Sequence, residues 1–292
     1  MNWSDTCAER LDIDVPLGPL TCYRVGGPAR YLYSPQNADD LKAIARNARQ
    51  ADLPLKVLGR GANVLIRDDG FDGVVVRLDS AGFRSMGFEG RRVLVGAGCD
   101  LMKLCTATVQ RGLAGLECLA GIPGTVGGAI RMNAGGKFGY IGDAVDRFDV
   151  LTPDGRVESR SREQAQFGYR SCAIGDSIVL SAELVLVQKS RAEVRQRFRE
   201  YWDFKKRTQP LADRSAGCVF KNPPGESAGR LIDQAGLKGE RCGGAVVSTQ
   251  HANFISADRD AEASDVLRLI DRIRTRVSRK FGQDLELEID VW

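Results

Sequence analysis

Two glycine-rich segments and one cysteine-bearing motif contain most of the residues whose types and spacing point to chemistry. Gly59-Arg60-Gly61-Ala62-Asn63 follows one apolar run, Leu55–Leu58, and precedes another, Val64–Ile66. Glycine has no Cβ, so the backbone N–H groups of such a turn can approach a phosphate closely. The same five residues suit an ordinary tight turn equally, because the third glycine and following helix of a dinucleotide fingerprint are missing. The second segment is Gly121-Ile122-Pro123-Gly124-Thr125-Val126-Gly127-Gly128-Ala129-Ile130-Arg131-Met132-Asn133-Ala134-Gly135-Gly136, with six glycines in sixteen residues. A flexible linker would be polar and serine-rich, whereas this one mixes glycine with Ile, Val and Met. Two readings follow: ordered backbone pressed against a flat or phosphorylated ligand, or a glycine crossing packed inside the fold.

Ser215-Ala216-Gly217-Cys218-Val219-Phe220-Lys221-Asn222-Pro223 places a thiol beside polar donors. A cysteine is most often an inert buried side chain, and the alternative here is a chemical role. Arg170, in Phe167-Gly168-Tyr169-Arg170-Ser171, is either a surface arginine or a bidentate clamp for a carboxylate. Glu288 alternates with apolar neighbours in Leu285-Glu286-Leu287-Glu288-Ile289, which suits a half-buried strand or a solvated edge. His251 is the single histidine and is structural or a pocket wall. The eight cysteines, at 7, 22, 99, 105, 118, 172, 218 and 242, form no C-x-x-C pair, so zinc and iron–sulfur clusters are not expected.

The elements that must position these residues read as α+β. Asn37 caps a helix over 37–51 with Leu41, Ile44, Ala45 and Ala48 on one face, and Asp100 caps another reaching Arg111, with Cys105 in the stripe of Leu101, Leu104, Thr108 and Val109. Strands are expected at 55–58, 64–66, 73–77, 92–95, 148–151 and 178–187. The order lacks the regular βαβ alternation of a doubly wound sheet. A basic helix covers 192–206, with Val194, Phe198 and Trp202 recurring every four residues and the arginines on a solvated face. Thr208-Gln209-Pro210 ends it and marks a boundary. Helices over 227–235 and 261–280 and a closing strand, Leu285 to Ile289, form a smaller α+β unit.

Length and composition set the frame. At roughly 100–200 residues per domain, 292 residues allow about two domains. Apolar residues at 43% and charged residues at 27% indicate a globular chain, and 33 glycines exceed the usual share. A net charge of +4 is too small and dispersed to argue for nucleic acid or a membrane surface. The N-terminal MNWSDTCAERLDIDVP lacks the apolar core of an export signal, and no run approaches a membrane span. A cytoplasmic protein with reduced thiols is therefore expected, and a monomer is taken as the default, the sequence carrying no signal of oligomeric state.

Taken together, GRGAN, GIPGTVGGAIRMNAGG, FGYRSC, SAGCVFKNP, AGRLIDQAGLKG, GGAVVSTQHANF and LELEI resemble, in order and from about Thr21 onward, bacterial UDP-N-acetylenolpyruvoylglucosamine reductases of the compact second type. The resemblance implies a two-part FAD-binding domain of the vanillyl-alcohol-oxidase kind (1–66 with 284–292, and 67–190) and a substrate domain over 191–283. It implies that NADPH reduces the flavin and that the enolpyruvyl ether of a UDP-sugar then accepts the hydride. FAD would be met by Gly59, Arg60, Gly61, Ala62, Asn63, Gly121, Gly124, Thr125, Gly127, Gly128 and Asn133, and the substrate by Tyr169, Lys221 and Asn222. Arg170, Cys218 and Glu288 would be catalytic, as charge stabiliser, proton donor and polarising group. The family motif usually reads SAGS, so Cys218 stands where serine is common; at an ordinary pKa of about 8.5 a thiol still donates a proton. Ala62 replaces a common serine and Arg131 a common apolar residue. A valine at Gly127 is expected to displace the flavin while leaving folding intact. The alternatives are another flavoprotein oxidoreductase of the same fold and a non-catalytic nucleotide-sugar-binding module.

Overall fold

The computed structural model describes residues 10–292. Cys7, and most of the leading segment read for an export signal, lie outside the described residues. The described residues form two compact units: one comprises 10–13, Tyr31–Gly59 and Gly73–Phe204, the other Asp14–Arg30, Arg60–Asp72 and Lys205–Trp292. Among the described residues no helix is long and apolar enough to cross a membrane.

The first unit is built on a five-stranded antiparallel sheet in the order Val157–Ser161, Val145–Leu151, Ile178–Val185, Arg92–Gly96, Met86–Glu89. Leu55–Val57 runs parallel to Phe71–Val76, with Leu55 opposite Val74. Helix Ala38–Gln50 starts where its cap requires, the Asn37 side chain accepting the Asp40 N–H at 3.0 Å, and it buries Leu41, Ile44 and Ala48. Helix Leu101–Arg111 is capped by Asp100 and ends on Gly112 in the left-handed conformation, as a C-terminal glycine does. Its buried row is Leu101, Leu104, Cys105 and Thr108.

Helix Arg191–Thr208 corrects one expectation. Val194 is buried and Phe198 packs on the core, but Trp202 is 38% exposed. A four-residue step advances about 400° around a helix, so a strict i, i+4 row drifts away from its partner. Contact passes instead to Tyr201 and Phe204, whose rings pack against Phe138.

The second unit holds a three-stranded antiparallel sheet, Arg241–Cys242, Ala245–Val247 and Ile255–Ala257, under helices Ala228–Gln234 and Ala263–Phe281. The long helix buries Val266, Leu269, Ile270, Ile273 and Val277 along one side. Its first turn is held by Asp68, whose carboxylate accepts the N–H groups of Ala263 at 2.7 Å and Ser264 at 2.9 Å.

The closing strand also needs correction. Leu285 and Ile289 are buried and Glu286 is exposed, but Leu287 and Glu288 are both half-buried, and only one bridge forms there, between Leu287 and Phe220. The regular pairing comes later, where Asp290–Val291 runs parallel to Val64–Leu65. Alternation reports which face is buried, and a ladder also needs a partner of matching length.

Candidate active site

The two glycine segments meet at one point in the first unit. A Cβ on Gly59 would stand 2.8 Å from Thr125 Oγ1, so the chain passes Thr125 at a distance that only glycine allows. Thr125 caps the short helix Val126–Arg131, accepting the Gly128 N–H at 3.4 Å. The N–H groups of Val126 and Gly127 go to the carbonyls of Cys99 at 3.0 Å and Ala97 at 2.8 Å. Hence these donors are spent inside the protein, which narrows the set expected for a phosphate. Gly124 differs: it holds φ +147°, has open space where a Cβ would point, and donates to no backbone carbonyl among the described residues.

Gly127 is a packing glycine. A Cβ there would lie 2.9 Å from the Cβ of Ala97, so valine at 127 disturbs the protein's own interior, contrary to the expectation of an intact fold. At the half-turn position, Gly128, the only neighbour within 4 Å is Thr125 Oγ1 at 3.5 Å. Asn133, with φ +40°, is 5% exposed and braces two loops: its Oδ1 accepts the Gly142 N–H at 3.1 Å and its Nδ2 donates to the Gly168 carbonyl at 2.9 Å.

Gly168 and Ser171 exchange backbone hydrogen bonds, closing a tight turn with Tyr169 and Arg170 at its corners. Arg170 adopts φ +53°, a position where turns ordinarily use glycine. Its guanidinium donates to the Gly135 carbonyl at 3.1 Å and lies 5.4 Å from the centre of the Tyr169 ring, which is 45% exposed. Asn133, Tyr140, Gly142, Asp143, Phe167 and Tyr169 border a cavity of about 360 Å³ behind this turn. Cys172, just beyond, has its thiol pushed up to about 11 by burial, with Arg131 opposing weakly.

In the second unit, Arg60 is exposed and Gly61 turns at φ +61°, where a Cβ would strike Thr21 Cα at 2.5 Å. The N–H groups of Gly61 and Ala62 also donate to no backbone carbonyl among the described residues. Asn63 joins this turn to the end of the chain: its Nδ2 donates to the Glu288 carbonyl at 3.0 Å, and its own carbonyl accepts the Asp290 N–H at 2.9 Å. Glu288 in turn donates its N–H to the Val219 carbonyl at 2.8 Å. Asn63, Cys218 and Glu288, far apart in sequence, thus come within a few residues of one junction. Lys221 is ion-paired with Glu286 across the same pair of segments, and Asn222 caps the turn before helix Ala228–Gln234 by accepting the Ala228 N–H at 3.0 Å.

Asn253 is the residue sequence reasoning missed. Its Oδ1 accepts the Phe220 N–H at 2.9 Å, its Nδ2 donates to the Phe220 carbonyl at 2.8 Å, and its carbonyl accepts the Val219 N–H at 2.8 Å. It therefore clamps the residues that follow Cys218, while Cys218 itself bridges to Phe254. His251 serves the clamp, its Nδ1 accepting the Asn253 N–H at 3.3 Å; burial, then Lys238, holds its pKa below the ordinary value. The available signal was a short amide between apolar residues, Ala252 and Phe254, where a buried polar group demands partners.

Two family models match the chain: UDP-N-acetylenolpyruvoylglucosamine reductase, C-terminal domain, over residues 209–292, and FAD binding domain, over residues 29–160. UDP-N-acetylenolpyruvoylglucosamine reductase 2 of Symbiobacterium thermophilum is 43% identical over 279 residues, 95% of this chain and 90% of that protein. The reductase of Moorella thermoacetica is 44% identical over 278 residues, 95% and 91% of the two chains. The crystal structure of UDP-N-acetylenolpyruvylglucosamine reductase from Thermus caldophilus superimposes with a TM-score of 0.85 at 40% identity, covering 97% of this chain and 99% of that one. A solvent-stable cholesterol oxidase, 17% identical with a TM-score of 0.52 over 64% of this chain and 40% of its own, shares the fold alone.

Proposed function

The chain belongs to the UDP-N-acetylenolpyruvoylglucosamine reductase family, and from that membership we propose that it uses FAD and NADPH to reduce the enolpyruvyl ether of UDP-N-acetylglucosamine enolpyruvate to UDP-N-acetylmuramate, a step in peptidoglycan precursor synthesis. The observation that carries the reading is the junction at Glu288, which ties the GRGAN turn to the segment following Cys218. In this reading 1–66 with 284–292 and 67–190 hold the cofactor, and 191–283 covers the substrate.

The residues suit FAD. A pyrophosphate needs several N–H donors, and donors that no backbone carbonyl takes among the described residues are present at Gly124 in the first unit and, separately, at Gly61 and Ala62 in the second. Gly59, Arg60, Asn63, Gly121 and Thr125 complete the cofactor set, with Gly127, Gly128 and Asn133 shaping it. The group these residues would hold would supply hydride transfer, between NADPH and the terminal vinyl carbon of the substrate.

The chain's own residues handle charge and proton. Negative charge builds on the carboxylate side as hydride arrives, and the fixed Arg170 guanidinium stabilises it. Glu288 polarises the same carboxylate by donating a hydrogen bond from its protonated carboxyl. Cys218 Sγ–H gives its proton to the carbon adjoining the one that took hydride, completing the saturated ether. Tyr169, Lys221 and Asn222 hold the nucleotide-sugar. The test is the visible spectrum of the purified protein: NADPH should bleach a flavin band anaerobically, and the enolpyruvyl UDP-sugar should restore it. A bleached band that the sugar leaves unchanged would remove the substrate assignment.

A further inference from the structure

The carbonyl that holds Arg170 belongs to Gly135, the base of a six-residue hairpin in which Gly135 pairs with Tyr140 and Gly136 with Gly139. No other residue fits there, since a Cβ on Gly135 would lie 2.2 Å from the Gly139 carbonyl oxygen. So short a hairpin has little stability of its own. Its tip is fixed from outside: the Phe138 ring stacks on Tyr201 at 4.0 Å with planes 7° apart and meets Phe204 edge-on at 5.2 Å. Lys137 Nζ stands 5.1 Å from the Phe204 ring centre. The helix bearing Tyr201 and Phe204 has separate anchors in buried Val194 and in Arg197, which lies 3.8 Å from the buried carboxylate of Glu117.

We propose that Phe138 is a positioning residue for Arg170: its stack on Tyr201 fixes the hairpin whose Gly135 carbonyl aims the guanidinium. The inference rests on Arg170 acting on the substrate's carboxylate. Arg170 needs such support, because a non-glycine residue at φ +53° persists only where its surroundings over-determine it. One side of that support is the Gly168–Ser171 turn braced by Asn133; the other is the hairpin, whose base is held by the Ile141 N–H on the Ala134 carbonyl at 2.8 Å and the Tyr140 N–H on Asp143 at 2.9 Å, and whose tip is fastened by Phe138.

The experiment separates the half-reactions by anaerobic stopped flow on the FAD-loaded protein. Phe138→Ala should retain FAD and bleach with NADPH at the parental rate, yet recover its colour with the enolpyruvyl UDP-sugar about 10- to 100-fold more slowly, as small misplacements of a charged group do. Phe138→Tyr, which can still stack, should recover most of the rate. Tyr201→Ala approaches the same contact from the helix and should reproduce the defect, so the test stands even if Phe138→Ala folds poorly. Because Phe138 acts through Arg170, the double variant Phe138→Ala/Arg170→Ala should be no slower than Arg170→Ala alone. Parental reoxidation in both single ring variants, loss of FAD from them, or fully multiplicative slowing in the double variant overturns the proposal. Parental reoxidation in Arg170→Ala overturns instead the role given to Arg170, and the inference with it.

Discussion

Replacing Asn253 by alanine isolates what holds the Cys218 segment in place. Asn253 is 3% exposed and Phe220 1%, and the amide satisfies both backbone groups of Phe220 at 2.9 and 2.8 Å. Alanine removes both partners at once, and each buried backbone group left unpaired costs about 1–3 kcal/mol. The expected loss is therefore about 2–6 kcal/mol, nearer the lower end if water enters the space. Against a total of about 5–15 kcal/mol that is a large share, and it should lower the Tm by about 10 °C. Asn253→Asp keeps an acceptor for the Phe220 N–H but sets a carboxylate against the Phe220 carbonyl, so it should be destabilised as well. Urea titration followed by far-UV circular dichroism gives the stability, and stopped flow on the folded fraction should show slowed reoxidation by the enolpyruvyl UDP-sugar with NADPH bleaching unchanged. An alanine variant within about 0.5 kcal/mol of the parent, the range of an ordinary surface substitution, would refute the clamp.

Cys218→Ala should leave NADPH-driven bleaching near normal and slow reoxidation by the substrate about 10²–10⁴-fold, the usual contribution of a general acid, whereas Cys218→Ser should retain substantial rate; an alanine variant reoxidised as fast as the parent assigns the proton to another donor. Gly128→Leu should fold normally and lose FAD on gel filtration, while Gly127→Val, forced against Ala97, should lower the Tm; full FAD retention in Gly128→Leu would remove the cofactor from that side of the segment. Cys172 should resist iodoacetamide at pH 8 and react only as pH approaches 11, read by mass of the labelled peptide, and rapid labelling at pH 8 would contradict its burial. His251 binds its proton less readily when folded than unfolded, so its contribution to stability is present above about pH 6.5 and falls away as pH drops below it. Urea midpoints at pH 7 and pH 5 should diverge more in the parent than in His251→Gln, and equal divergence would count against this.

Helices with capping residues and clean periodicity were readable in the sequence, as Ala38–Gln50 shows, because cap and buried face are both local properties. The glycine segments were readable as ordered backbone, but not which glycine packs and which stays open: Gly127 and Gly128 are adjacent and face different neighbours, Ala97 and Thr125, set by the tertiary fold. Trp202 and the 285–289 segment misled for a related reason, since regular spacing tells nothing about the length or curvature of the surface opposite. Asn133 and Asn253 were hidden as positioning groups, because an amide's value lies in partners up to 35 residues away.

The pairing of Asp290–Val291 with Val64–Leu65 has a consequence for how the molecule is made. Synthesis delivers the partner of this early strand only after some 225 further residues, the separation spanned by the Asn63–Glu288 bond. Closing so long a loop costs about 3 kcal/mol more in chain entropy than closing a ten-residue one. The GRGAN turn should therefore gain its final geometry late, after the local helices and the five-stranded antiparallel sheet have formed, which makes cofactor capture a post-translational event and the high-contact-order second unit the slower to mature.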